Sequence, residues 1–140
     1  MSWFSRDKGV LVTRHGRIVR SAGFPQNLKN TRFLDSDPLA AGPVREAVTV
    51  RRQVDIQPGD LFGVILTCTI TPEGPQEIET PGARHQTTRL REHCKAPLFD
   101  WSFDNVFWQD PQTGYVWKSV QVLVPSQAPM TLTTGKPPAA

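Results

Sequence analysis

Four side chains able to bind a metal lie between residues 68 and 94, namely Cys68, His85, His93 and Cys94. A structural zinc site needs paired ligands on short loops, whereas His93 and Cys94 are neighbours that would point to opposite faces of a strand. The acids Glu92, Asp100 and Asp104 could transfer protons, but no motif joins a nucleophile to a base or an oxyanion donor. The sequence therefore predicts a protein that is not an enzyme and holds neither metal nor cofactor.

Basic and aromatic residues are better candidates for contact with a ligand. Residues 1–34 contain seven basic side chains against one acidic side chain. Such a block of charge attracts polyanions over a distance, and indole rings stack on sugars and on bases. The alternative interpretations are a solvated strand face for the charges and core packing for the rings. The candidate contact residues are Arg14, Arg17, Arg20, Trp101, Trp108 and Trp117.

The composition is typical of a chain that forms short strands. Thirteen prolines and ten glycines accompany only 38% apolar residues, which disfavours long helices. We expect an all-β fold with a mostly antiparallel, twisted sheet, barrel-like or sandwich-like, and long loops rich in proline and glycine. With 140 residues, the chain fits one domain, placed at residues 1–136, followed by a disordered tail at 137–140.

Turn residues predict where the strands pair. His15 and Gly16 form a two-residue turn inside a hairpin over residues 10–20, because both tolerate positive φ. Asp110 and Pro111 open a second hairpin turn, and Gly114 returns the chain. A further strand over residues 48–57 shows a period of two and ends at a Pro-Gly turn, after which its partner begins.

Two other segments are rich in residues that interrupt strands. Residues 21–43 are rich in Gly, Pro, Asn and Asp and are predicted to form a structured loop, with one short helical turn around residues 26–32. Residues 71–82 carry several prolines and acids, which are unsuited to the middle of a sheet, so we expect a loop or a mobile edge there. Strand structure is expected to resume at Ala83.

The two cysteines leave the redox state open. Cys68 falls on the apolar face of the strand that begins near Phe62, so we expect it to be buried. Cys68 and Cys94 can form a disulfide in an oxidising compartment or remain buried thiols in the cytosol. No run approaches the roughly 18 apolar residues of a membrane helix, and the chain as written lacks a signal peptide or lipobox, which predicts a cytoplasmic location.

Two separated segments resemble the YjbF/GfcB family. The first begins at Gly16-Arg-Ile-Val-Arg20 and leads to Asp37-Pro-Leu39, and the second is Glu92-His-Cys94 followed by the run over residues 105–121. The resemblance extends from about Trp3 to Pro137. It implies a barrel-like β fold without an established catalytic site, in outer-membrane lipoproteins linked to the production and export of group-four capsule or related exopolysaccharide.

This resemblance implies a non-enzymatic envelope component on the periplasmic side of the outer membrane, with anionic polysaccharide and secretion proteins as partners. Family members carry a lipoprotein signal, a lipidated cysteine and further strands before the segment that matches residues 3–20, so membrane attachment would need a longer, lipidated form. The alternative is a small basic cytosolic β-barrel that binds single-stranded nucleic acid, favoured by a pI of about 9.2 and by the aromatic residues. Against it, the net charge is only +3 and no RNA-binding signature is present.

Overall fold

The structure is a computed structural model that describes residues 2–4 and 9–134. Within these residues, no helix has the length and apolar character needed to cross a bilayer. Two short 3-10 helices cover Pro38–Ala41 and Pro97–Phe99. The strands are β1 (Ser2–Phe4), β2 (Val10–Arg14), β3 (Arg17–Ala22), β4 (Asn27–Phe33), β5 (Val48–Gln57), β6 (Leu61–Thr80), β7 (Ala83–Ala96), β8 (Trp101–Gln109), β9 (Val116–Gln121) and β10 (Met130–Thr133).

The strands form two antiparallel sheets that share one core. The smaller sheet has the order β1-β2-β3, and the larger has the order β10-β9-β8-β7-β6-β5-β4 and curls into a half-barrel. Leu11 and Ile18 of the small sheet pack against Leu28, Val54 and Leu66 of the large one. The predicted all-β, mostly antiparallel fold is confirmed.

The predicted turns are found in place. His15 and Gly16 have φ values of +52° and +83° and join β2 to β3. The Asp110 carboxylate accepts hydrogen bonds from the backbone N–H groups of Gln112 and Thr113, at 2.8 and 3.0 Å, and so shapes the turn between β8 and β9. Because an Asp side chain can replace a backbone acceptor in this way, the turn is specified locally.

The first loop prediction is wrong at residues 26–32. Asn27–Phe33 forms the edge strand β4, which pairs with β5 through a bulge between Leu28 and Asn30. Leu28 is buried, and Thr31 Oγ1 donates to the Val19 carbonyl of β3 at 2.8 Å. Contacts distant in sequence thus outweigh the weak local preference of this segment. Within the same predicted loop, Asp37 caps the 3-10 helix by accepting from the Leu39 N–H at 3.0 Å.

For residues 71–82, the loop alternative is wrong, and the segment forms an edge of the sheet. Strand β6 continues to Thr80 and pairs with β7 throughout, with an irregularity between Pro72 and Gly74. Pairing between β5 and β6 stops at Val48 and Ile70, so beyond this point one side of β6 is an open edge. Proline is tolerated on such an edge and at bulges because no ladder partner requires its missing N–H there. The tail predicted at 137–140 lies outside the described residues.

Candidate functional site

A network of buried charges joins the two sheets. Nη1 and Nη2 of Arg17 on β3 donate to the two carboxylate oxygens of Glu92 on β7, each at 2.7 Å. Nε and Nη2 of Arg17 also donate to Asp37, both at 3.2 Å. Glu92 accepts further hydrogen bonds from Arg52 on β5 at 3.2 Å and from Asn105 on β8 at 2.9 Å. We call these five residues the ion network.

The charges of the ion network hold one another ionised. Burial alone would raise the pKa of Glu92, but the attraction of Arg17 and Arg52 holds it well below its usual range. Burial likewise acts to lower the pKa of Arg17, and the carboxylates of Glu92 and Asp37 reverse this effect and raise it. Burial lowers the pKa of Arg52. The Arg17 guanidinium is therefore occupied inside the protein, which removes Arg17 from the surface contacts expected from sequence.

A pocket of about 790 Å³ opens where three segments meet. Its walls are the β2–β3 turn, the 3-10 helix Pro38–Ala41 with Gly42, and the β8–β9 turn with the first half of β9. Leu132 of β10 and Thr134 close it on the remaining side. This volume lies within the range of small-ligand sites.

Two buried glutamines fix the walls of this pocket. Gln109 accepts from the Val44 N–H at 2.9 Å and donates to the Gly42 carbonyl at 3.0 Å. In the same way, Gln121 accepts from the N–H of Ile18 at 2.9 Å and donates to the carbonyl of Gly16 at 2.8 Å. Each amide ties a connecting segment to the large sheet, and buried hydrogen bonds of this kind are costly to break. The pocket is therefore held in shape without a ligand.

At two positions, the walls of the pocket approach each other too closely for any residue larger than glycine. A Cβ on Gly16 would lie 2.6 Å from Cβ of Val116, and a Cβ on Gly114 would lie 2.7 Å from the carbonyl carbon of Gly42. Both Gly16 and Gly114 have positive φ as well. Only glycine satisfies both conditions at these two positions.

Aromatic rings form one side of the pocket. Trp117 is largely buried, stacks on His85 with ring centroids 3.7 Å apart, and meets Tyr115 edge-on at 4.8 Å. Trp117 and Tyr115 line the pocket, whereas His85 supports the indole from β7. Such stacking holds the indole in one orientation.

Both signs of charge are present at the pocket. Arg14 and His15 line it and are exposed, and Arg14 forms no ion pair with any carboxylate in the described part of the chain. Asp110 also lines the pocket. Burial would raise its pKa, but the N–H groups of its own turn lower it, and the Trp117 indole N–H, outside regular hydrogen-bond geometry, adds to this effect. Asp110 is therefore a carboxylate that stays ionised.

The other candidate residues lie elsewhere. Arg20 is exposed on β3 and does not line the pocket. Trp108 is buried, its Nε1 donates to Gln76 at 3.0 Å, and the Lys118 ammonium lies 4.9 Å from its ring centroid. Trp101 is half-buried at the start of β8, against the shared core. Of the six candidates, the structure brings only Arg14 and Trp117 together.

Cys68 and Cys94 face each other on β6 and β7 and are joined in a disulfide, with their Cα atoms 4.1 Å apart. With Glu92 they form the one group of three metal-ligating side chains found within residues 9–134. The two sulfurs are bonded to each other, and Glu92 is engaged by two arginines. These three side chains therefore stabilise the core through the disulfide and the ion network.

The two segments that carry the family resemblance meet at the ion network and at the pocket. Gly16 and Arg17 begin the first segment, and Asp37 lies at its end. The second segment supplies Asp110 and Trp117 to the pocket, together with the buried glutamines. The glutamines were not candidates from the sequence, although both occur in the run over residues 105–121.

Residues 1–134 match the family model described as "Group 4 capsule polysaccharide lipoprotein gfcB, YjbF". The chain belongs to the YjbF family. It is 26% identical over 137 residues to the uncharacterized lipoprotein GfcB of Escherichia coli K12, and the match covers 96% of this chain but only 64% of that relative. The fold also matches the crystal structure of the hypothetical lipoprotein YmcC from Escherichia coli K12, with a TM-score of 0.85 at 24% identity, over 99% of this chain and 72% of the other.

Proposed function

We propose that this YjbF-family domain is a non-enzymatic component of the cell envelope that acts in the production and export of capsule or a related exopolysaccharide. In this proposal it works on the periplasmic side of the outer membrane, and its pocket holds an anionic glycan segment while other surfaces contact secretion partners. The observation that carries the proposal is that Arg14 and Trp117 share one pocket in a domain whose family is described by a capsule polysaccharide lipoprotein.

The pocket has the chemistry that an acidic sugar requires. The C–H face of a pyranose packs on an indole such as Trp117, and a sugar carboxylate pairs with a guanidinium such as Arg14 in two parallel hydrogen bonds. The ionised Asp110 accepts hydrogen bonds from sugar hydroxyls. The volume of about 790 Å³ accommodates a short saccharide rather than a single small ion.

The pocket is less suited to hydrolysis than to binding. Glycoside hydrolases commonly use two carboxyl groups on opposite sides of the scissile bond, one of them with a raised pKa. Asp110 is the one carboxylate among the described residues that line the pocket, and its pKa is lowered. This arrangement supports a binding role.

The nucleic-acid alternative has weaker support. Single-strand binders display several aromatic rings along a basic groove. Trp108 does not line the pocket beside Trp117, and Trp101 lies at the opposite end of β8 from the β8–β9 turn that lines the pocket. The rings therefore do not form a continuous stacking surface beside Arg14 and Arg20.

Deletion of the gene in its native host is expected to cause a severalfold loss of surface and secreted polysaccharide, measured under conditions that induce the neighbouring genes. A plasmid copy should restore the polymer. If polymer yield stays unchanged, the chain shares the family fold without this role, and a salt-dependent mobility shift of labelled single-stranded DNA then becomes the next test.

Replacement Arg14→Ser is expected to weaken binding of glucuronate-containing oligosaccharides about tenfold, because one charge-assisted hydrogen-bond pair is lost. Titration calorimetry measures this change, and neutral oligosaccharides of the same length should bind wild type and variant alike. Arg20→Ser is the matched control, since Arg20 is also exposed but does not line the pocket. Equal weakening by both substitutions would indicate diffuse electrostatic attraction instead of a site.

A further inference from the structure

Exposed apolar side chains gather at one end of the large sheet. Five large apolar residues within the described ranges are exposed, namely Val48 (36%), Phe62 (53%), Ile65 (39%), Leu98 (93%) and Phe99 (43%). Leu98 and Phe99 lie in the turn between β7 and β8, Ile65 lies within β6, and Phe62 lies at the start of β6 next to the β5–β6 turn. Scattered apolar residues are ordinary on a protein surface, but a local group of them marks a contact surface.

The strand register brings Ile65 to the turn between β7 and β8. Thr67 of β6 pairs with Lys95 of β7 at the end of their ladder, so the same register extended by two residues sets Ile65 level with Pro97, where the turn begins. Phe62 lies three residues further along, next to the β5–β6 turn that precedes β6. We define the apolar end as Ile65, Leu98 and Phe99.

The apolar end and the pocket lie at opposite ends of strand β8. This strand starts at Trp101, next to the apolar end, and finishes at Gln109, next to the turn that lines the pocket. At about 3.3 Å per residue, the two ends are separated by roughly 26 Å along the strand. A surface that contacted the apolar end would leave the pocket open.

The chemistry around the apolar end favours an apolar contact over an electrostatic one. Asp60 is exposed in the β5–β6 turn and Asp100 in the β7–β8 turn, and exposed cations on the neighbouring strands include Lys29 of β4 and Lys95 of β7, so the charges near this end are balanced. Polyanions such as nucleic acid are therefore not attracted there. Trp101 is half-buried beside the turn, and tryptophan rings are favoured at the boundary between lipid and water.

We propose that the apolar end rests on a phospholipid bilayer, with Leu98 and Phe99 entering the boundary between headgroups and acyl chains. This inference rests on the envelope role proposed above, because a family described as lipoproteins works at a membrane surface. Leu98 projects from a short turn with almost its whole side chain exposed. A projecting turn of this kind suits a deformable lipid surface.

The orientation follows directly from the fold. With the apolar end on the bilayer, β8 carries the pocket away from the membrane, towards the space through which polymer passes. Because the contact is apolar and the charges near it are balanced, anionic lipid does not strengthen it, and salt does not weaken it.

The test uses the full chain carrying an environment-sensitive nitrobenzoxadiazole label at Leu98→Cys, with the same label at Gln112→Cys as the matched control. Gln112 is exposed in the β8–β9 turn, at the pocket end. With phosphatidylcholine vesicles, we expect a blue shift and a severalfold rise in emission at position 98 and no change at 112. Vesicles that also contain phosphatidylglycerol should give the same result in low and high salt.

The double variant Leu98→Ser, Phe99→Ser is expected to reduce the fraction of chain that floats with these vesicles about tenfold, because two exposed apolar side chains are lost. Its circular dichroism and thermal midpoint should match those of wild type, since neither side chain is part of the buried core. Equal signals from both labelled positions, or flotation unchanged by the double variant, would overturn the proposal. A lipid-independent signal at position 98 that rises with protein concentration would also overturn it, by assigning the apolar end to a second copy of the chain.

Failure of this test and failure of the proposed function are distinguishable. Loss of polymer on gene deletion together with no lipid contact at Leu98 would keep the envelope role and discard the orientation. Lipid contact at Leu98 together with unchanged polymer would keep the bilayer contact and discard the proposed role in polymer production.

Discussion

Replacement Glu92→Gln is expected to lower the free energy of unfolding by about 3–5 kcal/mol, which makes it one of the most damaging single changes available in this chain. Glu92 is the shared acceptor of two buried arginines, Arg17 and Arg52. A glutamine keeps the size of the side chain but removes the charge, so both guanidiniums lose their main counter-ion in a buried setting. Only Asp37 remains to pair with Arg17.

Urea unfolding at neutral pH, followed by tryptophan fluorescence with the disulfide intact, measures this loss. Glu79→Gln is the matched control, because Glu79 forms an exposed pair with Arg84 at 3.0 Å. Exposed pairs contribute about 0–1 kcal/mol. If Glu92→Gln and Glu79→Gln lower the free energy of unfolding equally, other groups neutralise the charges of the buried arginines. The ion network would then not hold the two sheets together.

The same variant is expected to change the dependence of stability on pH. The pKa of Glu92 is lower in the folded protein than in the unfolded chain. A group of this kind stabilises the fold fully above its unfolded pKa of about 4.3, and this contribution is lost progressively as the pH falls from that value towards the lower pKa of the folded protein. The difference in unfolding free energy between wild type and Glu92→Gln should therefore narrow between roughly pH 5 and pH 3. A constant difference over this range would mean that Glu92 acts through packing rather than charge.

The sequence contained the positions of the buried charges but not their partners. In β5, Arg52 alternates in step with Val50, Val54 and Ile56, and all of these positions are buried. In β7, Glu92 occupies the same face as Leu90, two residues away, which is also buried. Alternation therefore marked both charges as inward-facing. That they meet each other and Arg17 depends on pairing among strands far apart in the chain, which no local pattern encodes.

The candidate site was predictable to a similar degree. The turn at His15 and Gly16 and the turn at Asp110 follow from local backbone preferences, and both prove to be walls of the pocket. Their meeting depends on Gln109 and Gln121, whose amides connect segments separated by 65 and 103 residues. For residues 71–80, the sequence left a loop and a sheet edge as alternatives for a related reason. Its prolines are unfavourable inside a sheet, but this part of β6 has a neighbour on only one side.

Removal of the disulfide by Cys68→Ala with Cys94→Ala is expected to lower the free energy of unfolding by about 3 kcal/mol. The bond connects residues 26 positions apart and closes the hairpin of β6 and β7, the two longest strands described. In the loop-entropy account, the crosslink acts mainly by restricting the unfolded chain, and a loop of this length gives roughly 3–4 kcal/mol. The effect should therefore appear in the unfolding equilibrium, with little change in the folded structure.

Reduction of the wild-type protein provides the control for the small cavity that alanine leaves. Wild type reduced while unfolded should lose about as much stability as the double variant, and the reductant should leave the double variant unchanged. A loss of less than about 1 kcal/mol on reduction would mean that residual structure already restricts the unfolded chain between residues 68 and 94. In that case the covalent bond would add little, because the unfolded chain would keep the two cysteines close together without it.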